Sequence, residues 1–182
     1  KAGISVPPGF AVLADAFDRF LEETKLKEEI AARLADVNHE DISSVENVAK
    51  IIRSLIHDAP MPADLENEIV EAFAELNAEF VAVRSSATAE DSSIASWAGE
   101  LETYLNTERA DLSVRVKQCW SSLYTPRAIF YRIEKNLRDS HISVAVIIQK
   151  MIQSEVSGIA FTVHPVTEDY DQMIIEAGFG LG

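Results

Sequence analysis

The hydrophobic period of this chain changes at Phe80, and that change limits the folds open to it. Before it, Leu65, Ile69, Phe73, Leu76 and Phe80 recur at helical spacing. They predict a long amphipathic helix, with Glu66, Glu68, Glu71, Glu75 and Glu79 off the stripe on a solvated face. From Phe80 the pattern shortens. Phe80-Val81-Ala82-Val83 is apolar and partly β-branched, and it predicts a buried strand. The strand is expected to open into a polar loop of small residues, Arg84-Ser85-Ser86-Ala87-Thr88-Ala89-Glu90-Asp91-Ser92-Ser93.

The rest of the chain falls on either side of that switch. Gly3-Ile4-Ser5-Val6-Pro7-Pro8-Gly9-Phe10 is an extended segment fixed by its prolines. Residues 14–36 carry a helical pattern. A clearer helix is expected over Ser44–His57, where Val45, Val48, Ala49, Ile52 and Ile56 share a face and Ser43-Ser44-Val45-Glu46 reads as a capping box. Ala59-Pro60-Met61-Pro62 is a break. Beyond the loop, residues 99–106 predict a loop and a short strand. Helices are expected at 108–123 and 126–138, the second with Pro126 in its first turn. Strands are expected over Ser143–Met151, Ser157–Val163 and Gln172–Glu176. Residues 1–80 are thus mainly helical and residues 81–182 mixed, which gives an α+β class.

Composition removes several alternatives. Of 182 residues, 30 are acidic and 16 basic, a net charge of −14. Such an acid excess argues against a nucleic-acid binder, which needs a basic face. No apolar run approaches the ~20 residues of a membrane helix, and no secretory signal opens the chain. The one cysteine, Cys119, excludes a disulfide framework and a cysteine-rich metal site. Beside Val116 and Trp120 it reads as a buried thiol, and a reducing cytoplasm is the simplest compartment.

One arginine stands apart. Between Arg53 and Arg109 the only Lys or Arg is Arg84, set among twelve acids (Asp58, Asp64, Glu66, Glu68, Glu71, Glu75, Glu79, Glu90, Asp91, Glu100, Glu102 and Glu108). Loops at strand ends are where ligands commonly dock. A guanidinium offers a planar fork suited to phosphate oxygens. The hydroxyls of Ser85, Ser86 and Thr88 add neutral donors. An ion pair with Glu90 or Asp91 accounts for the same arginine equally well. No Walker A sequence is present.

The string Val83-Arg84-Ser85-Ser86-Ala87-Thr88-Ala89-Glu90-Asp91, followed by Ala98-Gly99-Glu100-Leu101-Glu102-Thr103-Tyr104-Leu105-Asn106, resembles the nucleotide-binding domain of phosphoenolpyruvate synthase (pyruvate, water dikinase). The segments 3–10, Gln149-Lys150-Met151, 157–162 and 176–182 agree with it in order and spacing. The resemblance implies a single ATP-grasp domain over 1–182, incomplete at both ends, with ATP held between two α+β lobes. It further implies transfer of the ATP β-phosphate to a histidine on a separate swivelling domain and then to pyruvate on an acceptor domain. The products would be AMP, phosphate and phosphoenolpyruvate. Rifampicin phosphotransferase shares the loop pattern and is the closest rival. Pyruvate, phosphate dikinase is more distant, since its loop lacks the Ser-Ser-Ala-Thr-Ala-Glu-Asp run. A regulatory module that keeps the fold without catalysis is the non-enzymatic alternative.

Residue by residue, the resemblance places Arg84 on the ATP phosphates as the catalytic group. It sets Gly99 and Thr103 where loop and strand close over the triphosphate. It puts Gln149, Lys150, Met151 and Ile152 on a hinge strand that holds adenine, partly through its backbone. Gly99 and Thr103 read equally as a turn glycine and an ordinary strand residue. Gln149 could receive the adenine amino group on its side-chain oxygen. Residues Val144, Val146, Ile148 and Lys150 should share one strand face, and Ala145, Ile147, Gln149 and Met151 the other.

The resemblance also implies parts not found in these residues. The phosphorylated histidine belongs to another domain, so His39, His57, His141 and His164 are not candidates, and His164 reads as a turn residue. A phosphate-binding lysine would precede Lys1, while the Mg²⁺ ligands and a second arginine would follow Gly182. No Lys or Arg follows Lys150. The 182 residues by themselves are therefore expected to bind ATP weakly and to catalyse nothing.

Overall fold

The computed structural model describes residues 5–87, 102–135, 137 and 142–181. The chain divides into two compact units, Lys1–Met151 and Ile152–Gly182. Helices and antiparallel strands are both present in the first unit, and the class is α+β.

The first unit is built on a four-stranded sheet. Its strands are β1 (Gly9–Val12), β2 (Val81–Ala87), β3 (Thr103–Thr107) and β4 (Val144–Lys150), in the order β1-β4-β2-β3. Every neighbouring pair is antiparallel. Strand side chains alternate between faces. One face of the sheet carries Val12, Val81, Val83, Val144, Val146 and Ile148, all buried. Helices α1 (Ala14–Glu23), α4 (Ala63–Leu76) and α5 (Leu112–Ser121) supply the matching apolar side chains, among them Phe17, Phe20, Ile69, Phe73, Val116 and Trp120. The Trp120 ring lies 5.3 Å from that of Phe17 and 5.0 Å from that of Phe20, at the centre of this core. Cys119 is fully buried beside it, and burial pushes its thiol up to about 12.

Several elements differ from their sequence expectations for local reasons. Residues 14–36 form two helices, α1 and α2 (Leu26–Ala35), because Lys25 adopts a left-handed φ of 59° that a right-handed helix cannot continue. Thr24 closes the first of them by donating from Oγ1 to the Phe20 carbonyl, 2.6 Å away. Helix α3 runs Ile42–Asp58, and its cap is Asp41, whose carboxylate accepts from the Ser43 amide at 3.0 Å. The expected capping box at Ser43–Glu46 is thus replaced by an acid placed earlier, which lengthens the helix. Helix α4 stops at Leu76, with Asn77 left-handed (φ 46°), so Phe80 belongs to no helix.

The largest correction concerns the polar loop. Strand β2 continues through Arg84, Ser85, Ser86 and Ala87, paired residue for residue with Ile147, Val146, Ala145 and Val144. Pairing with β4 satisfies the strand backbone through these polar residues, which low β-propensity alone does not forbid. Arg84 therefore lies within the strand and not at its mouth. Helix α6 (Pro126–Glu134) is capped by Thr125, which accepts from the Ala128 amide at 3.1 Å.

The second unit is an antiparallel hairpin of β5 (Val156–Phe161) and β6 (Ile174–Phe179). Strand β6 runs beyond the expected end at Glu176 through Ala177, Gly178 and Phe179, because β5 gives each of these residues a partner. In the connection, His164 Nδ1 accepts from the amides of Val166 (3.3 Å) and Thr167 (3.1 Å), so it acts as a turn residue.

The candidate nucleotide site on the sheet

Helices cover one face of the four-stranded sheet, and three of the candidate residues, Arg84, Thr103 and Gln149, share the other. Arg84 pairs directly with Thr103 on β3 and with Ile147 on β4, and Ile147 pairs with Ala11 on β1. Directly opposed residues project from the same face. Ala11, Ile147, Arg84 and Thr103 thus form one row across the sheet, all exposed. Gln149 lies two residues further along β4, on the same face, between Gly9 and Ala82. Strand spacing sets Arg84 and Gln149 about 8 Å apart at Cα. A cationic fork and an amide thus share one side of one sheet.

The Arg84 guanidinium has no ion-pair partner among the described residues. Glu90 and Asp91, the two acids that could have paired with it, lie outside the described residues, as do Thr88 and Gly99. Glu102, one residue before Thr103, is held elsewhere. Its carboxylate binds Arg53 at 2.8 Å and accepts from the Tyr104 hydroxyl. Burial and Glu102 together push the Tyr104 hydroxyl far above its ordinary range.

The serine donors separate. Ser85 has the opposite phase to Arg84, and its hydroxyl donates to the Glu102 carbonyl at 2.8 Å, so it is not available on the Arg84 face. Ser86 shares the phase of Arg84.

The hinge residues separate too. Gln149 donates from Nε2 to the Pro7 carbonyl at 3.1 Å. Lys150 has the opposite phase. Its ammonium reaches the Asn77 carbonyl at the end of α4 (3.3 Å), and its amide donates to the Pro8 carbonyl at 2.9 Å. The Lys150 side chain is therefore on the helix-covered side, away from Arg84. The Met151 amide donates to the Phe80 carbonyl at 3.0 Å. Met151 is half-buried at the end of the first unit, and Ile152 opens the second unit, 54% exposed. Sequence reasoning overlooked the Pro7 and Pro8 carbonyls. The signal was there: two consecutive prolines carry acceptors and no amide donor.

Among the described residues, no group of three or more His, Cys, Asp or Glu could hold a metal ion, and no helix is long and apolar enough to cross a membrane.

Comparison with known proteins gives this face its context. A protein of Archaeoglobus fulgidus described as "Probable phosphoenolpyruvate synthase" is 48% identical over 188 residues, covering all of this chain and 25% of that protein. One of Methanocaldococcus jannaschii with the same description is 45% identical over 189 residues, covering all of this chain and 16% of that protein. The "Phosphoenolpyruvate synthase" of Pyrococcus furiosus is 38% identical over 221 residues, covering all of this chain and 27% of that protein. The chain therefore spans a quarter or less of the first two and just over a quarter of the third, and the resemblance read from its motifs holds along its whole length. Residues 1–182 also match the family described as "Pyruvate phosphate dikinase, AMP/ATP-binding domain", and the chain belongs to that family.

Proposed function

We propose that this chain is the ATP-binding domain, of ATP-grasp type, of a phosphoenolpyruvate synthase-like dikinase. The observation that carries the reading is the row Thr103–Arg84–Ile147, with Gln149 two residues away, on the face of the sheet that the helices leave uncovered. A nucleotide lying along that face meets a cation at one end and a hydrogen-bonding amide at the other. Arg84 grips the phosphates and draws negative charge from the oxygens of the group in transfer. Phosphoryl transfer is catalysed mainly by positioning and charge stabilisation, so one well-placed guanidinium carries much of that work. Thr103, directly opposite, offers a neutral donor beside it. Gln149 receives the adenine amino group on Oε1. Lys150 and Met151 shape the base end through backbone and packing, and Ile152 continues the chain from them. Gly99, outside the described residues, is assigned with Arg84 and Thr103 to the phosphate end.

In this reading the β-phosphate passes to a histidine of a swivelling domain elsewhere in the full-length protein, and from there to pyruvate. Mg²⁺ arrives as the counter-ion of the nucleotide. The test is AMP formation from ATP by the full-length protein, with pyruvate or rifampicin as acceptor. Pyruvate-dependent AMP release, lost in Arg84→Ala, supports the reading. Release that depends on rifampicin moves the protein to the rival phosphotransferase class. No release with either acceptor leaves a nucleotide-sensing module.

A further inference from the structure

The end of β4 meets a segment that can only accept hydrogen bonds. Pro7 and Pro8 have no amide hydrogen, and their carbonyls receive Gln149 Nε2 (3.1 Å) and the Lys150 amide (2.9 Å). A side-chain amide has two ends, a donor and an acceptor, and its hydrogen-bond surroundings decide which faces where. Beside a carbonyl only the NH₂ end is stable. Gln149 Oε1 then points away from Pro7 and has no hydrogen-bond partner among the described residues.

Packing holds this arrangement in place. Gln149 is half-buried, and its two cross-strand neighbours are Gly9 and Ala82. A Cβ at Gly9 would stand 2.5 Å from the Ile148 carbonyl oxygen and 3.0 Å from Gln149 Cα, so only glycine lets β1 lie this close. The close approach brings the proline carbonyls within reach of the amide.

We infer that the Pro7 carbonyl is a positioning group that fixes the sense of the Gln149 amide, so that the site presents an acceptor and selects a 6-amino purine over a 6-oxo purine. The inference rests on the proposed placement of the base at Gln149 and adds what sets its selectivity. The exocyclic amine of adenine donates to Oε1. The O6 of hypoxanthine meets the same oxygen and is repelled. If the amide could turn over, Nε2 would serve O6 and the preference would fade.

The experiment measures dissociation constants for ATP and inosine triphosphate on the full-length protein and its variants. Pro7→Gly keeps a carbonyl but frees the segment that holds it. The ATP preference is expected to fall about five- to tenfold, the scale of one net hydrogen bond, while affinity for inorganic triphosphate stays unchanged. In a Gln149→Glu background the carboxylate has no donor end to orient. There Pro7→Gly should leave the preference where it was. An equal drop in both backgrounds, or no drop in the Gln149 background, overturns the inference. Gln149→Leu separates this from the reading beneath it. If it leaves the ATP preference intact, the base does not lie at Gln149 and the placement itself fails. If it abolishes the preference while Pro7→Gly does not, only the positioning role fails. Should Pro7→Gly unfold the protein, the Gln149→Glu variant still decides: a stronger ATP preference supports an acceptor at this position, and reversal toward inosine triphosphate contradicts it.

Discussion

The two faces of the four-stranded sheet are made by the same strands and do opposite work. Ile148 and Val83 point into the helices and are fully buried. Their immediate neighbours Ile147 and Arg84 point the other way, and Ile147 is 36% exposed. One step along a strand separates scaffold from candidate site. The buried face fixes the register, because a slip of one residue would turn Arg84 into the core and Val83 out of it. The chemistry of the open face is therefore held by packing on the hidden one.

That contrast is most exposed to test at adjacent isoleucines. Ile148→Ala should destabilise the protein by about 2–5 kcal/mol, as large-to-small changes in packed cores do. Ile147→Ala should stay within about 0.5 kcal/mol, the usual scale for surface positions. Chemical unfolding of both variants measures the gap, and equal losses would mean that the two faces are packed alike. Gly9→Ala comes next. Its new methyl group would press on the Ile148 carbonyl and should cost about 1–3 kcal/mol, again by chemical unfolding, and it should weaken ATP binding through displacement of the Pro7 segment. A smaller effect concerns Cys119. Its thiol, pushed from 9.0 to about 12 by burial, stays neutral in the fold while the unfolded chain ionises it first. Its contribution is complete below pH 9 and declines as the pH rises from there toward 12. Iodoacetamide at pH 8 should accordingly label Cys119 far more slowly in the native protein than in denaturant. Matching rates would show that the helix-covered side admits solvent.

The sequence made the buried face legible and the open face only partly so. Hydrophobic alternation in residues 144–150 correctly set Val144, Val146, Ile148 and Lys150 against Ala145, Ile147 and Gln149. Amphipathic stripes located α3 and α4, but their ends depended on single residues, Asp41 and Asn77, whose local conformation no periodicity reports. The strand character of Arg84-Ser85-Ser86 was hidden because small polar residues read as loop. Their strand conformation comes from β4, which pairs with all three, and at Arg84 also from β3, partners distant in sequence. Within the candidate site, the isolation of Arg84 in an acidic chain was visible at once. That Ser85 turns away to the Glu102 carbonyl, and Lys150 to Asn77, was not, because strand phase is known only once the register is known.

The account depends on Arg84 holding the phosphates while the base end stands apart. Calorimetry of ATP and adenosine on the full-length protein and its Arg84→Ala variant tests this most directly. A charge-assisted hydrogen bond is worth about 1.5–3 kcal/mol. The variant is therefore predicted to bind ATP about ten- to a hundredfold more weakly, with adenosine affinity and unfolding midpoint unchanged. Equal ATP affinity in the two proteins would contradict the account.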